Sequence, residues 1–139
     1  MKIKEKKKSK NILLDMSCSL LHHGHIRLIK RASRFGKVII SLTTDEDLIK
    51  YKKIKPELNF KHRKEILESL KHVNKVIRGR YILDQKFLDR NKIDILVQGS
   101  DYKKRNFKNK VITFPRTINI SSSKMRKLAT KNILTNKNN

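Results

Sequence analysis

Three histidines stand within four residues at His22-His23-Gly24-His25, and a stretch with apolar residues at near-helical spacing follows directly. His22 and His25 lie three apart at the start of that helix. This spacing turns both imidazoles to one side, while the free N–H groups of the first turn face the same space. A helix N-terminus attracts anions through those groups. Two ring N–H donors beside it, with Gly24 letting the backbone approach closely, make a place to hold a nucleotide triphosphate and stabilise charge on a phosphoryl oxygen. The competing metal reading is weaker: adjacent residues diverge in direction, Cys18 is the one nearby thiol, and zinc-type spacings are missing. Either histidine alone would read as a helix cap; the pair with glycine, in a loop after a strand, reads as a phosphate site.

The elements that must position this loop follow from apolar patterning. Residues 11–17 form a short apolar run, and residues 24–35 carry Ile26, Leu28, Ile29 and Ala32 at the near-helical spacing of a helix that Gly36 would end as a C-cap. The β-branched run 37–43 predicts a strand buried on both faces, and Asp45 opens a short helix to about residue 51. After a lysine-rich link at 52–56, Asn59 is an N-cap for a helix with Ile66, Leu67 and Leu70 inward. Strands are predicted at 74–77, 93–97 and 111–114, and helices at 83–90 and 122–130. This alternation predicts an α/β fold, a Rossmann-like three-layer α/β/α arrangement around a five-stranded parallel sheet. Ligands in such sheets sit beyond the C-terminal strand ends, which singles out loops 17–24, 43–55, 99–104 and 115–123. One domain is expected over 11–131, between a basic tail at 1–10 and a polar tail at 132–139.

Composition limits the classes. A chain of 139 residues with 37% hydrophobic and 35% charged residues fits one globular domain. Against 12 acidic residues stand 36 Lys and Arg, a formal net charge of +24. Acidic partners are therefore expected: nucleic acid, an anionic surface or a phosphorylated small molecule. A lysine- and asparagine-rich bias that extends into the tails is a second source of that charge. Cys18 is the only cysteine, which excludes an intramolecular disulfide and fits a cytoplasmic setting. The basic opening 1–10 is not followed by a signal-type apolar segment, because Asp15 and then His22 and His23 interrupt it. No run approaches the roughly 20 apolar residues of a membrane helix, so no stable membrane insertion is expected.

The loop resembles the His-X-Gly-His signature of the nucleotidyltransferase superfamily, and the chain around it is similar to glycerol-3-phosphate cytidylyltransferases. Thr44-Asp45-Glu46 matches that family's Thr-Asp-Glu after the second strand, and Phe60-Lys61-His62-Arg63-Lys64 its aromatic-X-His-Arg-Lys helix. Gly99-Ser100-Asp101-Tyr102 is similar to Gly-Asp-Asp-Trp. Phe114-Pro115-Arg116-Thr117 with Ile120-Ser121-Ser122-Ser123-Lys124 is similar to Pro-Arg-Thr-X-Gly-Ile-Ser-Thr-Thr-Lys. Met16-Ser17-Cys18-Ser19-Leu20-Leu21-His22 and Tyr51-Lys52-Lys53 also resemble cytidylyltransferase domains of phosphonate pathways. Together the motifs run from about residue 11 to 127.

The resemblance implies an enzyme that transfers CMP from CTP to a small phosphorylated alcohol or phosphonate and releases pyrophosphate, with Mg²⁺ accompanying the CTP. It implies catalytic roles for His22, His25, Lys52 and Arg116. Nucleotide contacts are implied for Ser17, Cys18, Gly24, Lys53, Arg63, Gly99, Asp101, Thr117, Ile120, Ser121, Ser122 and Ser123. Lys52 and Tyr102 would meet the acceptor, with residues 78–88 shaping its pocket. Relatives are commonly homodimers, which Arg63's helix would support. Other readings stand beside these. Lys52 and Lys53 are interchangeable by alignment, Arg63 would equally pair with a carboxylate in the fold, Asp101 would cap a turn, and Ser121 would serve as a plain N-cap.

The sequence departs from the pattern at Met16-Ser17-Cys18-Ser19, where relatives have Gly-Thr-Phe-Asp, and at Ile118 and Asn119, where they have an acidic residue and Gly. Asn tolerates the left-handed backbone that Gly would supply. Two other functions remain in view: an adenylyltransferase using ATP, whose relatives share the Ile-Ser-Ser-Ser ending, and a noncatalytic basic nucleic-acid-binding module. Against the module, aromatics are only 6% and no nucleic-acid motif interrupts the pattern.

Overall fold

A computed structural model of the protein describes residues 8–100 and 105–134, so Asp101 and Tyr102 lie outside the described residues. Five strands, β1 (Asn11–Met16), β2 (Lys37–Leu42), β3 (Lys75–Arg78), β4 (Ile95–Gly99) and β5 (Lys110–Phe114), form one sheet in the order β3-β2-β1-β4-β5. Every pairing is parallel. The expected Rossmann-like α/β sheet is present. β1 is central because its side chains are apolar on both faces. Ile12, Leu14 and Met16 pack toward Ile29 and Ala32 of α1 (His23–Ala32) and Leu67 of α3 (Phe60–Glu68). Leu13 points the other way, into a smaller core with Phe87 and Leu88 of α4 (Gln85–Arg90). The chain leaves β1 toward β2 on one side and returns beside it as β4 on the other, so strand order reverses at β1 and a crevice opens beyond its C-terminal end.

Several local expectations are corrected. Ile66 is exposed, not inward. On α3 the inward stripe is Phe60, Arg63 and Leu67, continued by Leu70 in the turn that follows, and in it an arginine takes a core position. Gly36 does not cap α1, which stops at Ser33. It stands at the entry to β2, where a Cβ would lie 2.1 Å from the Lys10 carbonyl oxygen. The short helix after β2 splits into one α turn, α2 (Asp45–Asp47), and a π-helical turn (Leu48–Lys52) that ends at Lys53 with φ 57°. π turns recur at functional sites, and this one brings Lys52 back over the end of β1. Residues 78–88 do not shape the β1 crevice; Arg78, Gly79, Arg80 and Phe87 line a separate depression with Thr44 and Glu46.

Arg63 is 2% exposed and spends its guanidinium on the fold. Nη1 donates to the carbonyls of Ser17 (2.7 Å) and Thr43 (2.9 Å), Nε to that of Leu58 (3.0 Å), and Nη2 to Asp45 Oδ1 (2.5 Å). Of the two roles open in the sequence, pairing inside the fold is the one this geometry occupies. Removing the guanidinium costs about 2–4 kcal/mol, chiefly because the Ser17 and Thr43 carbonyls lose their donor; Asp45, 30% exposed and also accepting the Phe60 N–H, loses less. Arg63→Ala is therefore expected to lower the urea unfolding free energy by about that amount. Arg63→Lys should recover only part of it, since one ammonium cannot reach four acceptors in a planar fork.

Candidate active site

Beyond β1 the chain turns sharply at Cys18, whose φ of 46° is left-handed. This turn throws the next residues across the strand ends into α1. There His22 is the N-cap and accepts the Gly24 N–H at Nδ1 (3.1 Å), while His25 Nδ1 accepts the His22 N–H (3.1 Å). The two imidazoles thus form a reciprocal capping box of the kind usually made by Ser or Thr with Glu. Their rings stand 3.9 Å apart between centroids. Because each Nδ1 accepts a backbone N–H, each neutral ring must carry its proton on Nε2, which makes that atom a donor. Gly24 has a steric reason too: a Cβ there would fall 2.9 Å from the His22 ring.

These groups border a cavity of about 670 Å³ at the strand-order reversal. From the β1 side it is lined by Asp15, Ser17 and Cys18, from α1 by His22, Gly24 and His25, and from the π turn by Lys52. Gly99 ends β4 at its edge, and Arg116, Thr117 and the 120–123 segment close it at the start of α5 (Ser122–Lys131). Lys52 Nζ donates to Ser17 Oγ at 3.2 Å. The Arg116 N–H donates to Ser100 Oγ (3.2 Å), which ties the segments after β4 and β5 together. Asn119 holds a left-handed φ of 64°, the conformation that Asn tolerates. Ser121 caps α5 by accepting the Lys124 N–H, and Ser122 Oγ donates to the Leu20 carbonyl (3.1 Å), so Ser123 is the hydroxyl of the three without such a bond to the fold among the described residues.

Lys53 and Arg63 do not line the cavity; Lys53 follows the π turn and Arg63 lies beneath it in the fold. Cys18 lines it while packing its thiol in the core, where burial pushes the pKa up to about 12. Four lining groups went unread in the sequence. Arg27 and Arg31 stand one turn apart on α1, a spacing that could have revealed them. Arg126 of α5 donates to Ser19 Oγ (2.7 Å) and pairs with Glu57, across 107 and 69 residues of sequence that no local pattern bridges. Asp15 reads as a polar interruption of β1; its carboxylate is 3.6 Å from the Arg105 guanidinium.

Electrostatics separates these groups. Burial first, then the charges of His22, Arg116 and Lys52, lower the His25 pKa to about 4. Burial also lowers His22, with His23 and Arg116 adding to it. Both rings are therefore neutral donors near pH 7. Burial lowers Lys52 as well, Arg126 adds to that, and Asp15 opposes it. Asp15 is raised to about 6 by burial, against the pull of Arg105, Ser41 and Lys52.

The cytidylyltransferase-like family profile matches residues 18–128. The chain belongs to the cytidylyltransferase-like family. Glycerol-3-phosphate cytidylyltransferase of Bacillus subtilis is 34% identical over 124 residues, which cover 84% of this chain and 95% of that protein. Its counterpart from Bacillus spizizenii is 37% identical over 125 residues, 85% and 95% of the two chains. The crystal structure of the lipopolysaccharide core biosynthesis protein from Thermoplasma volcanium superposes with a TM-score of 0.69, covering 78% of this chain and 98% of that one at 19% identity, a likeness of fold. By family this cytidylyltransferase-like chain is a nucleotidyltransferase.

Since His25 falls from an ordinary 6.5 to about 4 on folding, its neutral form contributes stability above pH 6.5 that is lost as pH falls toward 4. Asp15 works in the opposite sense: its raised pKa makes folding more favourable at low pH, and that contribution disappears as pH rises through about 6. Imidazole ¹H–¹⁵N spectra should show His25 as the Nε2–H tautomer and neutral down to about pH 4. Wild-type minus His25→Asn stability, measured by thermal unfolding between pH 6.5 and 4, should shrink as the pH falls.

Proposed function

We propose that the protein transfers CMP from CTP to a small phosphorylated alcohol and releases pyrophosphate. The observation that carries this reading is the histidine pair: two neutral rings, each fixed by a backbone N–H, offer Nε2–H donors in a cavity flanked by Lys52 and Arg116. The choice of CTP and of a phosphorylated alcohol is supported by the names of the relatives reported above.

In this reading an oxygen of the acceptor's phosphate attacks the α-phosphorus of CTP, a new P–O–P bond forms, and the bond from the α-phosphorus to the bridging oxygen breaks as pyrophosphate leaves. No covalent enzyme intermediate is involved. His22 and His25 donate to α-phosphate oxygens as charge builds, Lys52 bridges the acceptor phosphate and the α-phosphate, and Arg116 with the start of α5 holds the leaving β- and γ-phosphates. Neutral donors with fixed orientation suit this role because they need not reorganise during the reaction. Among the described residues that line the cavity, Asp15 is the one carboxylate, and Arg105 already faces it. The Mg²⁺ expected with the nucleotide would accordingly take its ligands mainly from triphosphate oxygens and water, and it would supply neutralisation of the leaving group's charge. The homodimer and the cytoplasmic setting expected from the resemblance belong to this proposal; no helix among the described residues is long and apolar enough to cross a membrane.

Pyrophosphate release with CTP, Mg²⁺ and a panel of glycerol 3-phosphate, phosphoethanolamine, phosphocholine and small phosphonates tests the proposal. His22→Ala and His25→Ala should each lower kcat about 10²–10³-fold, the usual cost of losing one oriented transition-state donor. Absence of turnover with every acceptor, or turnover with ATP in place of CTP, would reject it.

A further inference from the structure

On the α4 side of the sheet, β1, β2 and β4 present Leu13, Ile39 and Leu96 to the smaller core. Two residues further along each strand the same face turns polar in a single row. Asp15 stands in register with Ser41, Gln98 follows the Leu14–Val97 pair on β4 by one residue, and Thr113 is in register with Gln98. Gln98 Nε2 donates to Thr113 Oγ1 at 3.3 Å, while its Oε1 is buried with no hydrogen-bond partner. Ser41 Oγ sits close enough to ease the charge on Asp15 without making a full hydrogen bond. Ser41 and Gln98 are buried in this row, at a solvation cost that an apolar continuation would avoid, while Asp15 is half-buried and Thr113 exposed at its edge. Asp15 is the member of the row that lines the catalytic cavity.

The position of Asp15 relative to Lys52 gives the row a use. The two groups are near enough to shift one another's charge, and in the reaction proposed above, on which this inference rests, Lys52 grips the acceptor's phosphate. Asp15 and Lys52 line the same cavity, so the carbon chain of an acceptor whose phosphate Lys52 holds would extend along a wall that carries the carboxylate. We infer that Asp15 is a specificity-determining residue, which accepts hydrogen bonds from hydroxyl groups on that chain and so selects polyol phosphates. An ammonium is the other donor a carboxylate could take. Arg105 already balances Asp15 at 3.6 Å, and Lys52, Arg116 and Arg126 make the surroundings cationic, so an added positive charge is repelled while a neutral hydroxyl is not.

The test compares glycerol 3-phosphate, propyl phosphate (the same chain length without hydroxyls) and phosphoethanolamine, each with CTP, on wild type, Asp15→Asn and Asp15→Leu. Wild type should prefer glycerol 3-phosphate over both others by about tenfold or more in kcat/KM, since a site built to bind a hydroxyl penalises its absence. In Asp15→Leu the ratio to propyl phosphate should fall to within about threefold, chiefly through the acceptor's KM. Asp15→Asn, which keeps an acceptor oxygen and nearly the same volume, should fall between. An unchanged ratio in both variants, an equal loss with all acceptors together with a raised KM for CTP, or a wild-type preference for phosphoethanolamine would overturn the inference. If CTP binds but no acceptor turns over, the transfer reading fails, and calorimetric titration with the same three compounds decides the role of Asp15. Weaker binding of glycerol 3-phosphate alone in Asp15→Leu supports it, and equal weakening of all three rejects it.

Discussion

The cavity end of this sheet hangs on one buried guanidinium. Arg63 reaches from α3 into the space beneath the loops and holds the carbonyl of Ser17 after β1, that of Thr43 after β2, that of Leu58 before α3, and the carboxylate of Asp45. These four acceptors belong to different segments, and the Thr43 carbonyl among them would otherwise be buried without this donor. Through Ser17 the arginine sets where the β1 loop begins, and through Asp45 it sets where the π turn carrying Lys52 departs. A buried ion pair is a poor way to gain stability, but breaking it is expensive, so it acts as a constraint on geometry. The planar fork of five donors meets that geometry where an ammonium would not.

On that platform the histidines do two jobs with different atoms. Nδ1 of each ring closes the first turn of α1, a structural task, and the closure decides the tautomer that leaves Nε2 protonated. Capping and the proposed phosphate recognition would therefore be one arrangement seen from its two ends. Burial and neighbouring cations keep both rings neutral, which spares the cavity two further positive charges beside Lys52, Arg116 and Arg126. Gly24 belongs to the same arrangement, since the His22 ring occupies the space a side chain would need.

The strands were legible because buried parallel strands are written as short apolar runs, and all five lie within two residues of where periodicity puts them. The loops after them were legible because their chemistry is local: four residues contain both histidines and the glycine, and eight contain Arg116 through Ser123. Errors came where a residue's burial contradicts its type. Counting only apolar residues on α3 misses Arg63 and puts Ile66 in its place, and reading Gly36 as a helix cap misses that its constraint is the backbone of Lys10. Arg126 and Asp15 were hidden for a different reason. The first meets Ser19 only after the whole sheet has been crossed, and the second depends on which face of β1 looks toward the cavity, a matter of strand order.

The formal charge of +24 explains less about the site than its size suggests. Exposed charges are screened over roughly 8–10 Å in physiological salt, so most lysines contribute to solubility and to weak attraction of anions. Inside the cavity screening is weaker, and a few groups set the field. Three of them, Lys52, Arg116 and Arg126, attract a polyanion from the strand ends and the start of α5. Asp15 is the counterweight, and its burial has a cost that its raised pKa records. A site built only to hold triphosphate would gain by losing that carboxylate. Its presence in the same cavity wall as Lys52, with Arg105 to balance it, is what the acceptor selectivity inferred above accounts for: hydroxyl donors at one end of the molecule and negative charge at the other.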